Sequence, residues 1–319
     1  MIIKNYFINE VKNILGPARQ NYKILLLNIL GFQVFRYFFA YLKYIFFNKN
    51  YFNNSDVILL KKNGYTIINN FFDKADFEKI LKICKKIENE TKFKIKHYGE
   101  KKVHSYDFFD EIYDQDLIFL RNYFIETLNK KNFMDDICEI LNIKKQSIQN
   151  LSYEKIIVGD NFFDKGDSDS EFHADRFYPC IKMFLYLDDN KIDNGAFEYI
   201  NKSHQFTLSR LKHEYLYSIF ICAKSFFLRI MKFFGYVLKN DRVTFETTTI
   251  EKNFGINSII ACEAPANSLI ICNNMGFHRR GKLNPNTSRS HLRLNLYDMQ
   301  ISKTKSFLLK FAKKFKNNI

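Results

Sequence analysis

The sequence predicts a mainly β domain with flanking helices, an antiparallel sandwich or jelly roll, on three observations. From Tyr153 onward the apolar runs are short and β-prone: "YEKIIVG", "IKMFLYL", "AFEYI", "SIIAC", "SLIICN" and "LRLNLY". Gly, Asn, Asp and Pro separate them, which is strand punctuation. Few helical patterns intervene, as expected of an antiparallel architecture closed by turns.

Taken in order, residues 1–55 read as a basic, hydrophobic helical segment. Its most apolar stretch, 22–47, is interrupted by Asn28, Gln33, Arg36 and Lys43, which leaves no clean span of about 18 to 20 apolar residues. A helix lying on a bilayer surface, or docked on the domain, is the expectation. Residues 56–300 form the main domain. Tyr65–Phe71 reads as a short strand, "DKADFEKILKICKKI" as an amphipathic helix with Asp73 at its N-cap, and 110–150 as mostly helical. A long insert, 206–250, separates two groups of strands, and within it 215–239 has the pattern of a basic amphipathic helix. The tail 301–319 is another, with six lysines, no acids, and Leu308, Phe311 and Phe315 on one helical face.

Composition narrows the function classes. Hydrophobic residues make up 46% and charged residues 26%, so the chain is globular rather than disordered. The net charge of +15 favours anionic partners. No zinc-finger spacing, RNA-binding signature or helix-turn-helix pattern directs that charge onto nucleic acid, so no nucleic acid partner is expected. Cys84, Cys138, Cys180, Cys222, Cys262 and Cys272 are scattered without a C-x-x-C pair and fit reduced thiols in a cytoplasmic protein. The first twenty residues lack the apolar core and small-residue cleavage site of a secretory signal.

"EFHADRFYPCIKMFLYL", residues 171–187, sets His173 and Asp175 two apart just before a buried strand. Two polar side chains at the edge of an apolar core are costly unless something holds them. Non-haem Fe(II) sites use two His and one carboxylate on one face of the metal, leaving the opposite face open. The third ligand must then come from a late strand, and His278, just past the apolar run 269–272, is placed for it. His97 and His104 precede the barrel and His213 lies in the insert. Arg289 follows His278 by eleven residues at the start of the next strand, where its planar fork could hold the distal carboxylate of 2-oxoglutarate bidentately. Arg293 is four residues on and shares its face, so spacing alone does not choose between them.

In this order the motifs resemble those of the phytanoyl-CoA dioxygenase family of Fe(II)/2-oxoglutarate-dependent oxygenases. "LKKNGYTIINNFFDKADFEKI" is similar to its Gly-Tyr strand and helix, and "FHADRFYPCIKMFLYLDD" to its His-x-Asp strand. "DNGAFEYINKSHQ" resembles its Asn-Gly and Ser-His segment, and "ANSLIICNNMGFHRRGKLNPNTSR" its distal histidine and co-substrate arginine. The resemblance covers about residues 57–300 and implies a double-stranded β-helix, or cupin-like, core. It implies that His173, Asp175 and His278 ligate iron and that Arg289 holds 2-oxoglutarate, with Lys182 near the co-substrate. Ser203 and His204 match a pair that supports the site from behind, and Asn194-Gly195 is a turn. The reaction implied is hydroxylation of a C–H bond with O2, releasing succinate and CO2. Asp175 favours this, because halogenating relatives carry a small residue there.

The substrate class stays open among small molecules, lipids and saccharides. The basic amphipathic segments lead us to expect contact with an anionic membrane, peripherally on the inner face. Competing readings are a catalytically silent jelly-roll protein that binds membranes, a zinc hydrolase on the same three ligands, and a nucleic-acid demethylase resting on charge alone.

Overall fold

The computed structural model describes residues 25–46, 54–90, 94–98, 101–107, 115–141, 150–160, 168–178, 180–223, 226–239 and 242–297. The tail 301–319 and the first 24 residues lie outside them. Helices α1 (Leu25–Ile29) and α2 (Phe32–Phe46) come first, then α3 (Ser55–Asn63), β1 (Tyr65–Ile68) and α4 (Lys74–Glu90). Next are β2 (Lys94–Tyr98), β3 (Lys101–Asp107), α5 (Gln115–Lys130), α6 (Phe133–Leu141), β4 (Asn150–Val158), β5 (Cys180–Tyr186) and β6 (Phe197–Ile200). The insert supplies α7 (Leu208–Cys222), α8 (Leu228–Phe233), β7 (Tyr236–Lys239) and β8 (Arg242–Phe245), and α9 (Thr247–Phe254) follows. The chain continues through β9 (Ile259–Ala261), β10 (Ser268–Asn273), β11 (His278–Arg280) and β12 (Ser288–Tyr297).

A seven-stranded sheet runs β1-β10-β5-β12-β4-β3-β2 and a three-stranded one β11-β6-β9, every pairing antiparallel. Alternation assigns the two faces of the large sheet. Ile181, Met183 and Leu185 of β5 point outward with Leu269 and Ile271 of β10 and Leu292, Leu294 and Leu296 of β12. They pack there on apolar side chains of α3 to α6. The opposite parity, Tyr186, Ile270 and Cys272, faces inward against Phe197 and Tyr199 of β6. Inward on β12 are therefore Arg289, His291 and Arg293, and on β5 Lys182. The barrel interior thus carries polar side chains along its length, from Lys182, opposite Asn295, to Arg289 at the start of β12.

Gly64 ends α3 in the left-handed conformation (φ 90°), its N–H donating to the Leu60 carbonyl at 2.8 Å. A Cβ at Gly64 would lie 2.6 Å from His204 Nδ1 and closer still to Tyr199 Oη. The Gly-Tyr motif is therefore a close approach between the first strand and the small sheet.

Two expectations need correction. Residues 215–239 are not one helix: α7 stops at Cys222, α8 is separate, and Gly235 at φ 74° turns the chain into β7. The insert 206–250 is consequently not all helical, since β7 and β8 form a hairpin in it. The segment 22–47 is helical over its described part, and it docks on α7. No helix among the described residues is long and apolar enough to cross a membrane.

Candidate metal centre and anion site

His173 sits one residue past Phe172, whose carbonyl accepts from the Phe245 N–H at 3.2 Å, so β8 braces this segment. His173 and His278 then pair directly across an isolated antiparallel bridge. Asp175 N–H donates to the Asn274 carbonyl at 3.1 Å, extending the match by one step. The loop that carries His173 and Asp175 and the start of β11 are thereby zipped together.

The side chains of His173, Asp175 and His278 converge, with one ligand atom of each within 4.8 Å of the others. Among the described residues this is the one such cluster of His, Cys, Asp and Glu. Each imidazole directs Nδ1 to a backbone carbonyl two residues before it, Glu171 at 2.8 Å and Gly276 at 3.1 Å. That fixes the Nδ1–H tautomer and leaves an Nε2 lone pair on each ring. Both Nε2 atoms lie 3.6 Å from the Asp175 carboxylate. His278 Nε2 is buried with no hydrogen-bond partner, the condition of an atom awaiting a ligand. Two imidazole nitrogens and one carboxylate are a donor set that fits Fe(II).

Asn274 Nδ2 donates to Asp175 Oδ2 at 2.7 Å, and Lys182 Nζ contacts the same oxygen. Burial alone would push the Asp175 carboxyl up. Lys182, His278 and His173 outweigh it and hold the carboxyl well below the usual carboxylate range. Burial would likewise depress the Lys182 ammonium, and Asp175 reverses that shift. Lys182 thus takes an inward position of β5, and its contact is with the Asp175 carboxylate.

Arg289 is only 5% exposed. Its Nη1 donates to the Gly195 carbonyl and to Asn190 Oδ1 at 3.4 Å, while its buried Nε has no acceptor. No carboxylate among the described residues forms an ion pair with it. Burial lowers its pKa, but a guanidinium stays charged in a protein. A buried cation without a carboxylate ion pair is a candidate receptor for an anion. Arg293 differs: its Nη1 lies 2.6 Å from Glu154 Oε1, and Glu154 also contacts His291 Nε2 at 3.2 Å. Burial pushes Glu154 up, yet His291 and Arg293 together bring it down to about 2.

Ser203 and His204 lie behind the site. Ser203 Oγ accepts from the Phe277 N–H at 2.7 Å, and His204 Nε2 reaches the Lys61 carbonyl at 3.0 Å. The Asn194-Gly195 turn is held by Asn194 Oδ1, which accepts from Lys191 N–H at 2.8 Å. Its Gly195 carbonyl is the one that meets Arg289. Sequence reasoning missed Asn274, Asn190 and Arg210. The last is a fully buried guanidinium that donates to the Ser203 and Met275 carbonyls beneath the His278 turn. Only the position of Asn274, between an apolar strand and a ligand histidine, carried any signal.

No family model matches the chain, and no curated protein matches it in sequence. Among solved structures it is similar to the non-heme α-ketoglutarate-dependent epimerase SnoN from nogalamycin biosynthesis. The identity is 9% and the TM-score 0.50, over 76% of this chain and 82% of that one. HygX from Streptomyces hygroscopicus, solved with nickel and 2-oxoglutarate bound, aligns at 14% identity and TM-score 0.45, over 77% and 87% of the two chains. The likeness to SnoN identifies the fold. The chain is a jelly roll, or double-stranded β-helix, with flanking helices.

Proposed function

We propose that this chain is an Fe(II)- and 2-oxoglutarate-dependent dioxygenase. The observation that carries the reading is the pairing of a His-Asp-His cluster with a buried, carboxylate-free guanidinium on an inward position of the same barrel. A zinc hydrolase would need the three ligands but has no use for Arg289. The likeness to SnoN supports the reading through the fold alone.

His173, Asp175 and His278 would hold the iron, which when bound supplies activation of O2 coupled to oxidation of the co-substrate. Arg289 receives the distal carboxylate of 2-oxoglutarate in a pocket where water cannot compete for it. Asn274 and Lys182 fix the rotation of the Asp175 carboxylate by holding Oδ2. Backbone carbonyls hold both imidazoles in one tautomer and orientation. Lys182 acts here on the ligand carboxylate in preference to the co-substrate.

The finer assignment is the phytanoyl-CoA dioxygenase family, with hydroxylation of a C–H bond in a small molecule, lipid or saccharide and release of succinate and CO2. Residues 56–300 are the catalytic domain, with 1–55 and 301–319 as attachments. Free cysteines, five of the six buried, support a cytoplasmic location. SnoN is described as an epimerase, so product mass is the observation that separates outcomes. Hydroxylation adds one oxygen to the substrate and epimerisation adds none.

The test is succinate formation from 2-oxoglutarate with purified chain under Fe(II) and O2. Turnover that needs iron and disappears in His278→Ala and Arg289→Ala supports the reading. Wild-type chain that binds iron but never releases succinate sinks it and favours the silent binding protein.

A further inference from the structure

Helices α1 and α2 bury two amides beside one aromatic ring. Asn28 and Gln33 are fully buried, donating to the Ser218 carbonyl at 3.0 Å and to Glu214 Oε2 at 2.9 Å of α7, and so is Tyr37, whose Oη donates to the Gln205 carbonyl at 3.2 Å. The outward face of the two helices is apolar, with Leu26 65%, Leu30 74%, Phe35 57% and Phe39 51% exposed. Asn28 Nδ2 also lies 3.2 Å from Cys222 Sγ at the end of α7, so α1 lies beside the turn that follows α7. There Phe226 and Phe233 are 83% and 84% exposed. An apolar face of this extent on a water-soluble surface calls for a cover.

Charge identifies the cover. Residues 11–55 contain no acid at all, and residues 208–239 contain only Glu214, which is buried and paired with Arg210 at 2.8 Å. Lys212, Arg229 and Lys232 are exposed. A second copy of the chain would bring these cations against their own kind. The chain's tail, with six lysines and no acids in 301–319, would do the same. Apolar side chains interleaved with cations alone match the headgroup boundary of an anionic bilayer.

We propose that the outward faces of α1, α2 and α8 form one docking surface for an anionic lipid bilayer. The surface adjoins the metal centre: the Arg36 guanidinium of α2 stacks 4.1 Å over the ring of Phe177, two residues beyond Asp175. Docking there sets the ligand loop against the membrane side of the protein. The inference stands on polarity and charge and is independent of the iron reading.

The test is flotation of the full chain with vesicles of phosphatidylcholine alone and of phosphatidylcholine with phosphatidylglycerol. Two variants are compared with it, Phe226→Ser/Phe233→Ser and Arg229→Glu/Lys232→Glu. All four positions are exposed, and circular dichroism verifies that the variants fold. The expected result is retention on the phosphatidylglycerol vesicles alone, falling as salt rises. The charge variant should lose at least about tenfold in partitioning, and the phenylalanine variant a comparable amount. Absence of flotation overturns the proposal. So does full retention by both variants, which would move binding to the chain ends, and so does equal retention on neutral vesicles. A dimer in sedimentation that Phe35→Asp/Phe39→Asp splits into monomers would assign the face to a second copy instead.

Discussion

His173 and His278 are a hydrogen-bonded backbone pair: the His173 N–H donates to the His278 carbonyl at 3.0 Å and the reverse bond measures 2.9 Å. Residues paired this way project side chains from the same side of the ladder, and the two rings stand 4.6 Å apart. The ligand geometry is therefore set by main-chain bonds that a side-chain substitution leaves intact. His173→Ala and His278→Ala should fold with near-native melting temperatures yet bind Fe(II) about a hundredfold more weakly or worse. Wild-type chain should gain about 2.7 kcal/mol of stability at metal concentrations a hundred times the Kd. Thermal unfolding with and without added Fe(II) under anaerobic conditions reads both effects. A metal-induced rise that survives in the double variant would remove the assignment.

Arg289 and Arg293 share a face of β12, but their partners differ: a carbonyl and an amide oxygen for Arg289, the Glu154 carboxylate for Arg293. Arg289→Ala should raise the apparent KM for 2-oxoglutarate by about a hundredfold, equivalent to about 3 kcal/mol, while iron binding is spared. Arg293→Ala leaves Glu154 buried with one cation fewer, so its cost should appear in folding stability. Steady-state succinate assays beside urea unfolding distinguish the two. The reverse pattern would transfer the co-substrate role to Arg293.

The long strands of this fold were legible because each carries a fully apolar face, as in "SLIICN", where all six residues are buried. The hairpin β2–β3 was not, because "KIKHY" and "KKVHSYD" at the sheet edge are lysine-rich and hold no apolar run. The three-residue β11 is too short to show a period, although it holds His278. The stretch 215–239 read as one basic amphipathic helix because no Gly or Pro interrupts it before Gly235, so no local signal marked the break at Ala223–Phe227. Asn28 and Gln33 were legible as breaks in an apolar span but not as buried contacts, because their partners Ser218 and Glu214 lie more than 180 residues away. Likewise spacing alone left two candidate arginines, Arg289 and Arg293, and the ion pair of Arg293 with Glu154 was not legible in it.

Gly64 should be among the least substitutable residues of the fold. Gly64→Ala imposes a left-handed backbone on a residue with a Cβ and drives that carbon into Tyr199 and His204. The expected loss is about 2 kcal/mol or more. Chemical denaturation of the variant checks it, and a loss within about 0.5 kcal/mol would mean that the α3 to β1 corner relaxes easily.

Arg210 ties α7 to the turn that carries His278. Its guanidinium is fully buried, pairs with Glu214, bonds the Ser203 and Met275 carbonyls, and stacks 4.5 Å from the Phe277 ring. Arg210→Met should cost about 3 to 5 kcal/mol, because it strands the Glu214 carboxylate in the core. Arg210→Met/Glu214→Leu should recover part of that loss while iron affinity stays reduced, since the turn has lost its anchor. Recovery of both together would confine Arg210 to a structural role.

Three buried histidines outside the metal cluster set the acid limit of the fold. Burial lowers the pKa of His204 to about 4, of His213 well below its ordinary value, and of His291 below it despite the opposing pull of Glu154. A histidine whose folded pKa lies below its unfolded value near 6.5 binds more protons when unfolded. Its stabilising contribution is complete above about pH 6.5 and is lost as pH falls toward the folded value. For His204 the loss between pH 7.5 and 5 is about 2 kcal/mol. His213 is the cleanest probe, because its ring lies among Tyr217, Tyr236, Phe245 and Phe277, where a phenylalanine is of similar size. His213→Phe should flatten the fall of unfolding free energy by up to about 1.4 kcal/mol per pH unit between pH 6.5 and 5. Urea titrations of both proteins at fixed metal concentration keep the contribution of His173 and His278 the same in each. An unchanged slope would show that His213 takes up its proton in the folded state, contrary to its burial among aromatic rings, where its Nδ1 meets the Tyr236 hydroxyl at 3.1 Å.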